Sequence, residues 1–265
     1  MFAGKVIWIT GASSGIGEEL AYQLATKKAY LILSARRTLE LERVREQCLV
    51  HTNCVDILSL DLSDNNALPE MAKRAEAIHG RIDVIIHSGG ISQRDSMLNT
   101  VPDAEARIMQ INFTSVVTIT RALLPGMIAR GEGRIVLLSS VAGKIGVPNR
   151  TTYCASKHAI IGYFDALRAE LKIAKQPINI HIMVPGFIHT NISVNAVLGD
   201  GNPQGVMDPG QEKGMPVEKC VQQMIRGMEK NKKEILIGGK EILMTYFRRF
   251  IPGLYYYLIS RVKTK

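Results

Sequence analysis

The sequence predicts an α/β protein built on a three-layer, doubly wound parallel sheet of about seven strands in a single domain. Short β-branched runs alternate along the chain with longer segments of helical period. That alternation implies parallel strands joined by crossover helices on both faces. The strand candidates are also nearly continuous in apolar residues, as expected where both faces of a sheet are covered. Neither an internal repeat nor a Ser/Gly linker interrupts the 265 residues, a length that supports one sizeable core.

The elements follow in order. Val6-Ile7-Trp8-Ile9 precedes a helical segment at 15–28, and Tyr30-Leu31-Ile32-Leu33 precedes 39–50. A strand at 55–60 precedes 65–79, and 82–86 precedes 103–129. A strand at 134–138 leads to a helix at 151–174, and 178–184 leads into a turn-rich loop; a helix at 216–230 then precedes the last strand, 234–237. Pro125 has no amide hydrogen and is expected to kink the 103–129 helix or split its end. The domain is expected to span 1–240, followed by a basic, aromatic extension at 241–265.

Composition narrows the function classes. Cys48, Cys54, Cys154 and Cys220 lie far apart or without a repeated close spacing, which argues against a disulfide scaffold, a zinc ribbon or a CxxC redox site. No metal is expected. Met1-Phe2-Ala3-Gly4-Lys5 runs directly into a strand, so no signal peptide is expected and a reducing, cytoplasmic setting follows. The formal charge of +9 is concentrated in 213–265, where 12 Lys/Arg face 4 Glu and give +8. The rest of the chain is nearly neutral, and only 6% of residues are aromatic, so a nucleic-acid partner is not expected.

Chemistry first appears in the turn Thr10-Gly11-Ala12-Ser13-Ser14-Gly15-Ile16-Gly17, between a buried strand and a helix. There a phosphate can rest on free amides at the positive end of the helix dipole. The spacing is Gly-xxx-Gly-x-Gly, and a tight turn is the bland alternative. At the end of the second strand, Ser34-Ala35-Arg36-Arg37 contains no acid to accept a ribose 2′-hydroxyl. Paired guanidinium groups instead suit the 2′-phosphate of NADP, which is preferred over NAD. A solvated arginine pair at a helix entry is the alternative.

Ser140, Tyr153 and Lys157 form a third cluster. Tyr153 and Lys157 are i,i+4 neighbours on a helix, so the ammonium is expected to lower the phenol pKa from its usual value of about 10. Ser139-Ser140 closes an apolar strand, where a parallel sheet presents its ligands. A serine hydroxyl there can hold a carbonyl or alkoxide oxygen.

Together these residues resemble the short-chain dehydrogenase/reductase family, classical type. The resemblance runs from Val6 to about Thr190 and includes the glycine turn, Asp61-Leu62, Asn112, Ser140, Tyr153-Cys154-Ala155-Ser156-Lys157 and Pro185-Gly186-Phe187-Ile188-His189-Thr190. It implies a Rossmann fold, with Ser140 orienting the carbonyl, Tyr153 transferring the proton, Lys157 binding ribose and tuning Tyr153, and Asn112 holding a relay water. It implies cofactor contacts from Gly11, Ser13, Ser14, Gly15, Ile16, Gly17, Arg36, Arg37, Asp61, Leu62, Ser88, Gly89, Pro185 and Gly186. Asp61 meets adenine, and Ile188 and Thr190 meet the nicotinamide end. It also implies a homo-oligomer, dimer or tetramer, through the helices at 103–129 and 151–174. Where the family usually has Asn-Asn-Ala-Gly, this chain has His87-Ser88-Gly89-Gly90, leaving one hydroxyl in place of two amides. His87 is expected to be a structural histidine at a strand end.

Within the family, Gly89-Gly90-Ile91-Ser92-Gln93-Arg94, Ala155-Ser156-Lys157-His158-Ala159 and 188–196 resemble the dehydrogenase/reductase member 7 and 7B branch. That likeness implies membrane association and lipid-like ketone substrates such as acyl-dihydroxyacetone phosphate. The N-terminal anchor of that branch is not found here, so peripheral membrane contact is expected to depend on 241–265. There Leu243, Tyr246, Phe247, Phe250, Ile251, Leu254 and Leu258 recur at helical spacing beside Arg248, Arg249, Arg261, Lys263 and Lys265, as in an interfacial helix. The uncharged run 250–260 is too short to span a bilayer. Packing on the domain or a second subunit is the alternative.

The loop 186–216 is expected to be a substrate lid, and its Val194, Val197, Leu198, Val206 and Met207 hint at a hydrophobic substrate. The expected activity is NADP(H)-dependent interconversion of a carbonyl and an alcohol with Tyr153 as acid and base. The alternative is a catalytically silent, dinucleotide-sensing protein of the same fold.

Overall fold

Strand β1 (Val6–Thr10) is buried at every position, because it sits in mid-sheet between β2 (Tyr30–Ser34) and β4 (Val84–His87). The computed structural model describes residues 1–262. Its remaining strands are β3 (Val55–Ile57), β5 (Gly133–Leu138), β6 (Ile178–Pro185) and β7 (Glu234–Ile237). All seven are parallel, in the order β3-β2-β1-β4-β5-β6-β7.

Successive side chains of a strand point to opposite faces, and the two faces build two cores. Ile7, Ile9, Leu31 and Leu33 pack under α1 (Gly15–Thr26) and α2 (Thr38–Leu49), with α8 (Val217–Glu229) alongside. Val6, Trp8, Ile85, Ile135 and Leu137 pack under α3 (Leu68–His79), α5 (Ser115–Arg130) and α6 (Thr151–Ile173). Trp8 is wholly buried, and its indole N–H donates to Ser34 Oγ at 2.8 Å, so its one polar atom is satisfied. The order reverses between β1 and β4, which opens a crevice outside the carboxyl ends of the strands.

Three elements differ from the sequence expectation by more than two residues. The third strand keeps regular pairing only over Val55–Ile57, although Leu60 N–H still donates to Ala35 O. The third helix begins at Leu68, because Asp64 first forms a turn that accepts the Ala67 N–H. The long 103–129 helix resolves into α4 (Pro102–Met109), a π turn at Gln110–Thr114, and α5. Pro125 does not split it, since α5 continues to Arg130. Arg121, whose carbonyl would have bonded the missing amide, is exposed, so water can take its place. Pro102–Arg130 is long and apolar enough to cross a membrane, but much of its surface is buried in the protein.

The extension folds into α9 (Leu243–Phe250) and α10 (Pro252–Ile259), broken at Pro252. One side packs on the domain. Tyr255 is 2% exposed, and its hydroxyl donates to Gly146 O (2.9 Å) and accepts from Gly146 N–H (3.0 Å). Lys263 and Lys265 lie outside the described residues.

Candidate active site

A cleft of about 860 Å³ lies above the carboxyl ends of the central strands. Gly11, with φ +70°, forms its floor; a Cβ there would come within 2.6 Å of the Gly89 backbone. Gly17 lies beneath the turn, where a Cβ would stand 2.3 Å from Gly11 O. The first and third glycines of the motif therefore let backbone touch backbone. Gly17 lies off the wall, whereas Ser13, Ser14, Gly15 and Ile16 line it. Ser14 is the N-cap of α1 and makes no side-chain cap, which leaves first-turn amides available to an anion.

Arg36 and Arg37 are exposed at the same end of the cleft, with Arg37 donating to Ser13 Oγ at 3.1 Å. Asp61 and Leu62 line it too. Burial pushes the Asp61 carboxyl up, but hydrogen bonds from the Ser63 backbone and hydroxyl, with the charges of Arg36 and Arg107, hold it below the usual carboxylate range. Ser88, Gly89, Pro185, Gly186, Ile188 and Thr190 complete the wall.

The other end holds Ser140, Tyr153 and Lys157. Ser140 follows β5 and caps a short helical turn, accepting from Ala142 N–H at 3.1 Å, while Tyr153 comes from the first turn of α6 and hydrogen-bonds the Ser140 side chain. One turn later, the Lys157 ammonium donates to Leu138 O at 2.8 Å and lies 5.8 Å from the centre of the Tyr153 ring. Asn112 sits in the π turn, a distortion that often marks functional positions. It is buried behind the wall, where its carboxamide accepts Ile91 N–H (2.8 Å) and donates to Ile91 O (2.9 Å) and Ser156 Oγ (3.0 Å).

The electrostatics correct one expectation. Burial raises the Tyr153 phenol above its ordinary value, and the Ser140 hydrogen bond and the charges of Arg150 and Arg94 only partly oppose it. Burial also lowers Lys157, to about 8. Burial, and not the neighbouring ammonium, therefore sets the direction of the phenol's shift. His87 is structural: buried, bonded to Thr120 Oγ1 at 3.0 Å and pushed down to about 3, it stays neutral.

The loop 186–216 folds over the cleft and includes the short helix α7 (Pro209–Glu212). Of its five apolar residues singled out from the sequence, only Val197 lines the cleft; Val206 is 63% exposed. Ile192 and the tail residues Met244, Leu258, Ile259 and Val262 supply apolar wall instead.

Residues 5–199 match the family profile described as short chain dehydrogenase. A Drosophila melanogaster dehydrogenase/reductase SDR family protein 7-like is 38% identical over 99% of this chain and 81% of its own length. The chain belongs to the short-chain dehydrogenase family. A Bos taurus member 7B of that family is 37% identical over 96% of this chain and 80% of its own length, which places the chain in the member 7 branch. A short-chain dehydrogenase/reductase from Burkholderia phymatum, solved in complex with NAD, shares the fold with a TM-score of 0.84 at 21% identity, covering 96% of this chain and 95% of its own. As a member of an oxidoreductase family, this short-chain dehydrogenase acts on a small molecule.

Several residues of this dehydrogenase's cleft escaped the sequence reasoning. Arg94, Arg107, Arg150 and Glu241 line it as well. Arg94 and Arg150 both bind Asp208 Oδ2 of the loop 186–216, at 2.6 and 3.0 Å. The Glu241 carboxylate accepts Phe187 N–H and Gly239 N–H, each at 3.0 Å, which ties the start of the tail to the loop after β6. Apart from Gly239, these partners are 54 to 114 residues apart, so no local spacing announces them.

Proposed function

We propose that this protein is an NADP(H)-dependent oxidoreductase that interconverts a hydrophobic ketone or aldehyde and its alcohol, with Tyr153 as the acid and base. The observation carrying this is that one cleft joins the glycine turn and Arg36–Arg37 at one end to Ser140, Tyr153 and Lys157 at the other. The residues present fit a dinucleotide. Uncapped amides of α1 suit its pyrophosphate, Gly11 and Gly89 permit close approach, and two arginines without a neighbouring acid on their strand end suit a 2′-phosphate. When bound, the nicotinamide supplies the hydride to the carbonyl carbon or takes it back.

The chain's own groups handle the oxygen. Ser140 and Tyr153 hydroxyls hold it, and Tyr153, protonated at neutral pH by its raised pKa, gives it a proton during reduction. Lys157, near half-protonated at pH 8, stands next in line to return that proton. Asn112 holds the loop at Ile91 beside it. Alcohol oxidation is the microscopic reverse. Ile145, Val147, Ile192, Val197, Met244 and Leu258 favour an apolar substrate.

The outer side of the tail supports peripheral membrane contact. Leu243, Tyr246, Phe250, Ile251, Tyr256 and Tyr257 are exposed beside Arg248, Arg249 and Arg261. Phe250→Ser with Ile251→Ser is expected to weaken sedimentation with anionic phospholipid vesicles, and unchanged binding would remove this role. Homodimers or tetramers follow from the family resemblance and are read by light scattering.

The deciding experiment is NADPH consumption over steroid, retinoid, acyl-dihydroxyacetone phosphate and small aromatic carbonyls. Tyr153→Phe is expected to lower turnover by about 10²–10⁴ while NADPH still binds. Retained turnover would remove the assigned role.

A further inference from the structure

The catalytic helix begins without a cap of its own. Arg150 occupies the N-cap position of α6 and makes no side-chain capping bond, yet the first turn carries Tyr153. Its amides are met from elsewhere in the chain: Gln93 Oε1 accepts the N–H of Thr152 at 2.9 Å and of Tyr153 at 3.2 Å. Gln93 is fully buried, and its Nε2 donates to Thr100 Oγ1 (3.0 Å) and Thr151 Oγ1 (3.5 Å). Both ends of the carboxamide are therefore in use, as a buried polar group requires.

Gln93 and its neighbours Ser92 and Arg94 also carry the lid. Gln93 forms a parallel bridge with Val197. Val197 N–H donates to Ser92 O at 2.8 Å, and Arg94 N–H donates to Val197 O at 2.9 Å. The Arg94 guanidinium holds Asp208, Ser92 Oγ and Gln93 O, each at 2.6 Å, while Arg150 reaches the same carboxylate from the N-cap of α6. Two points of the lid, Val197 and Asp208, thus converge on the turn that bears the phenol.

We propose that Gln93 is a positioning residue that caps the Tyr153 turn and, through Ser92 and Arg94, couples the closed lid to the placement of the phenol. The proposal rests on the oxidoreductase reading for its kinetic consequence, but the coupling itself is observable without turnover. An isolated cap would touch α6 alone. A residue whose two neighbours bind the lid transmits lid position to the helix start, because the strip 92–94 cannot shift without moving the oxygen that holds the Thr152 and Tyr153 amides.

Gln93→Met keeps the side-chain length and removes all four hydrogen bonds, whereas Gln93→Glu keeps the oxygens that accept the two amides. Carbonyl reduction and amide hydrogen exchange are measured on the full chain. Gln93→Met is expected to lower kcat at least tenfold with KM for NADPH within twofold, and to speed exchange both at 152–154 and in the lid at 193–208. Gln93→Glu is expected to return kcat to within threefold of the parent. Asp208→Asn, made in an Arg150→Met background so that the direct link from Asp208 to the start of α6 is already cut and Gln93 is untouched, is expected to speed exchange at 152–154 beyond Arg150→Met alone, and this arm decides the matter if Gln93→Met does not fold. A kcat within twofold in Gln93→Met, or exchange in that double variant that rises beyond Arg150→Met in the lid alone, would overturn the coupling. Absence of reduction by the parent protein would instead count against the oxidoreductase reading, with the exchange result standing by itself.

Discussion

Replacing Tyr255 with alanine is expected to release the C-terminal helices from the mouth of the cleft while sparing its dinucleotide end. Tyr255 is the only fully buried side chain of α9 and α10 among the described residues. Removing a buried aromatic ring costs about 3–5 kcal/mol. The two bonds to Gly146 add only about 1 kcal/mol, because Gly146 lies at the surface and water can replace the hydroxyl. A loss of that size shifts the docking equilibrium by roughly two to four powers of ten, enough to expose the chain at Arg248 and Arg249. Limited trypsin digestion reads the release directly, and KM for a hydrophobic carbonyl is expected to rise as Met244, Leu258 and Ile259 leave the wall. Tyr255→Phe loses only the hydroxyl and is expected to stay docked. Digestion of Tyr255→Ala at the parent rate, with KM unchanged within twofold, would refute the anchoring role.

Arg36→Ala combined with Arg37→Ala removes charge-assisted bonds of about 1.5–3 kcal/mol each, so NADPH affinity is expected to fall at least about tenfold while NADH changes little; equal losses measured by fluorescence titration would contradict the 2′-phosphate assignment. Gly11→Ala is expected to abolish dinucleotide binding, since its Cβ would overlap the Gly89 backbone at a φ of +70°; a variant that binds NADPH normally by calorimetry would show that the turn adapts. Stability should also fall with acidification. The fold holds His87 at about 3 against 6.5 in the unfolded chain, so below pH 6.5 the unfolded chain takes up a proton that the fold refuses. The loss approaches about 1.4 kcal/mol per pH unit, His181 acts in the same direction, and the slope is expected to flatten in His87→Gln. Urea unfolding across this range with parallel slopes for both proteins would exclude His87 as the source.

Much of the fold was readable because the decisive patterns are local. β1 through β7 each show as an apolar run, and β7 matches its predicted span, 234–237, residue for residue. The glycine turn was readable for the same reason: three glycines within seven residues report a close approach without showing what is approached. The structure supplies that partner, the backbone of Gly89 for Gly11 and of Gly11 for Gly17. The π turn at Asn112 was not legible, because 103–129 has the composition of one continuous helix and the partners of Asn112, Ile91 and Ser156, lie 21 and 44 residues away. The direction of the Tyr153 shift was missed for a related reason. Spacing shows the neighbouring ammonium, but desolvation depends on everything stacked around both groups.

From its sequence alone this protein has a parallel α/β sheet, a phosphate-ready turn, an arginine pair where an acid would select NAD, and a serine, a tyrosine and a lysine in family order. Each is written within a few residues, on the scale of a turn or a helix repeat. Tertiary structure alone decided that Gln93 caps α6, that Asp208 joins Arg94 to Arg150 and that Tyr255 fastens the tail over the cleft. The pairs behind those contacts lie 58 to 114 residues apart, and only the folded sheet brings them within hydrogen-bonding distance.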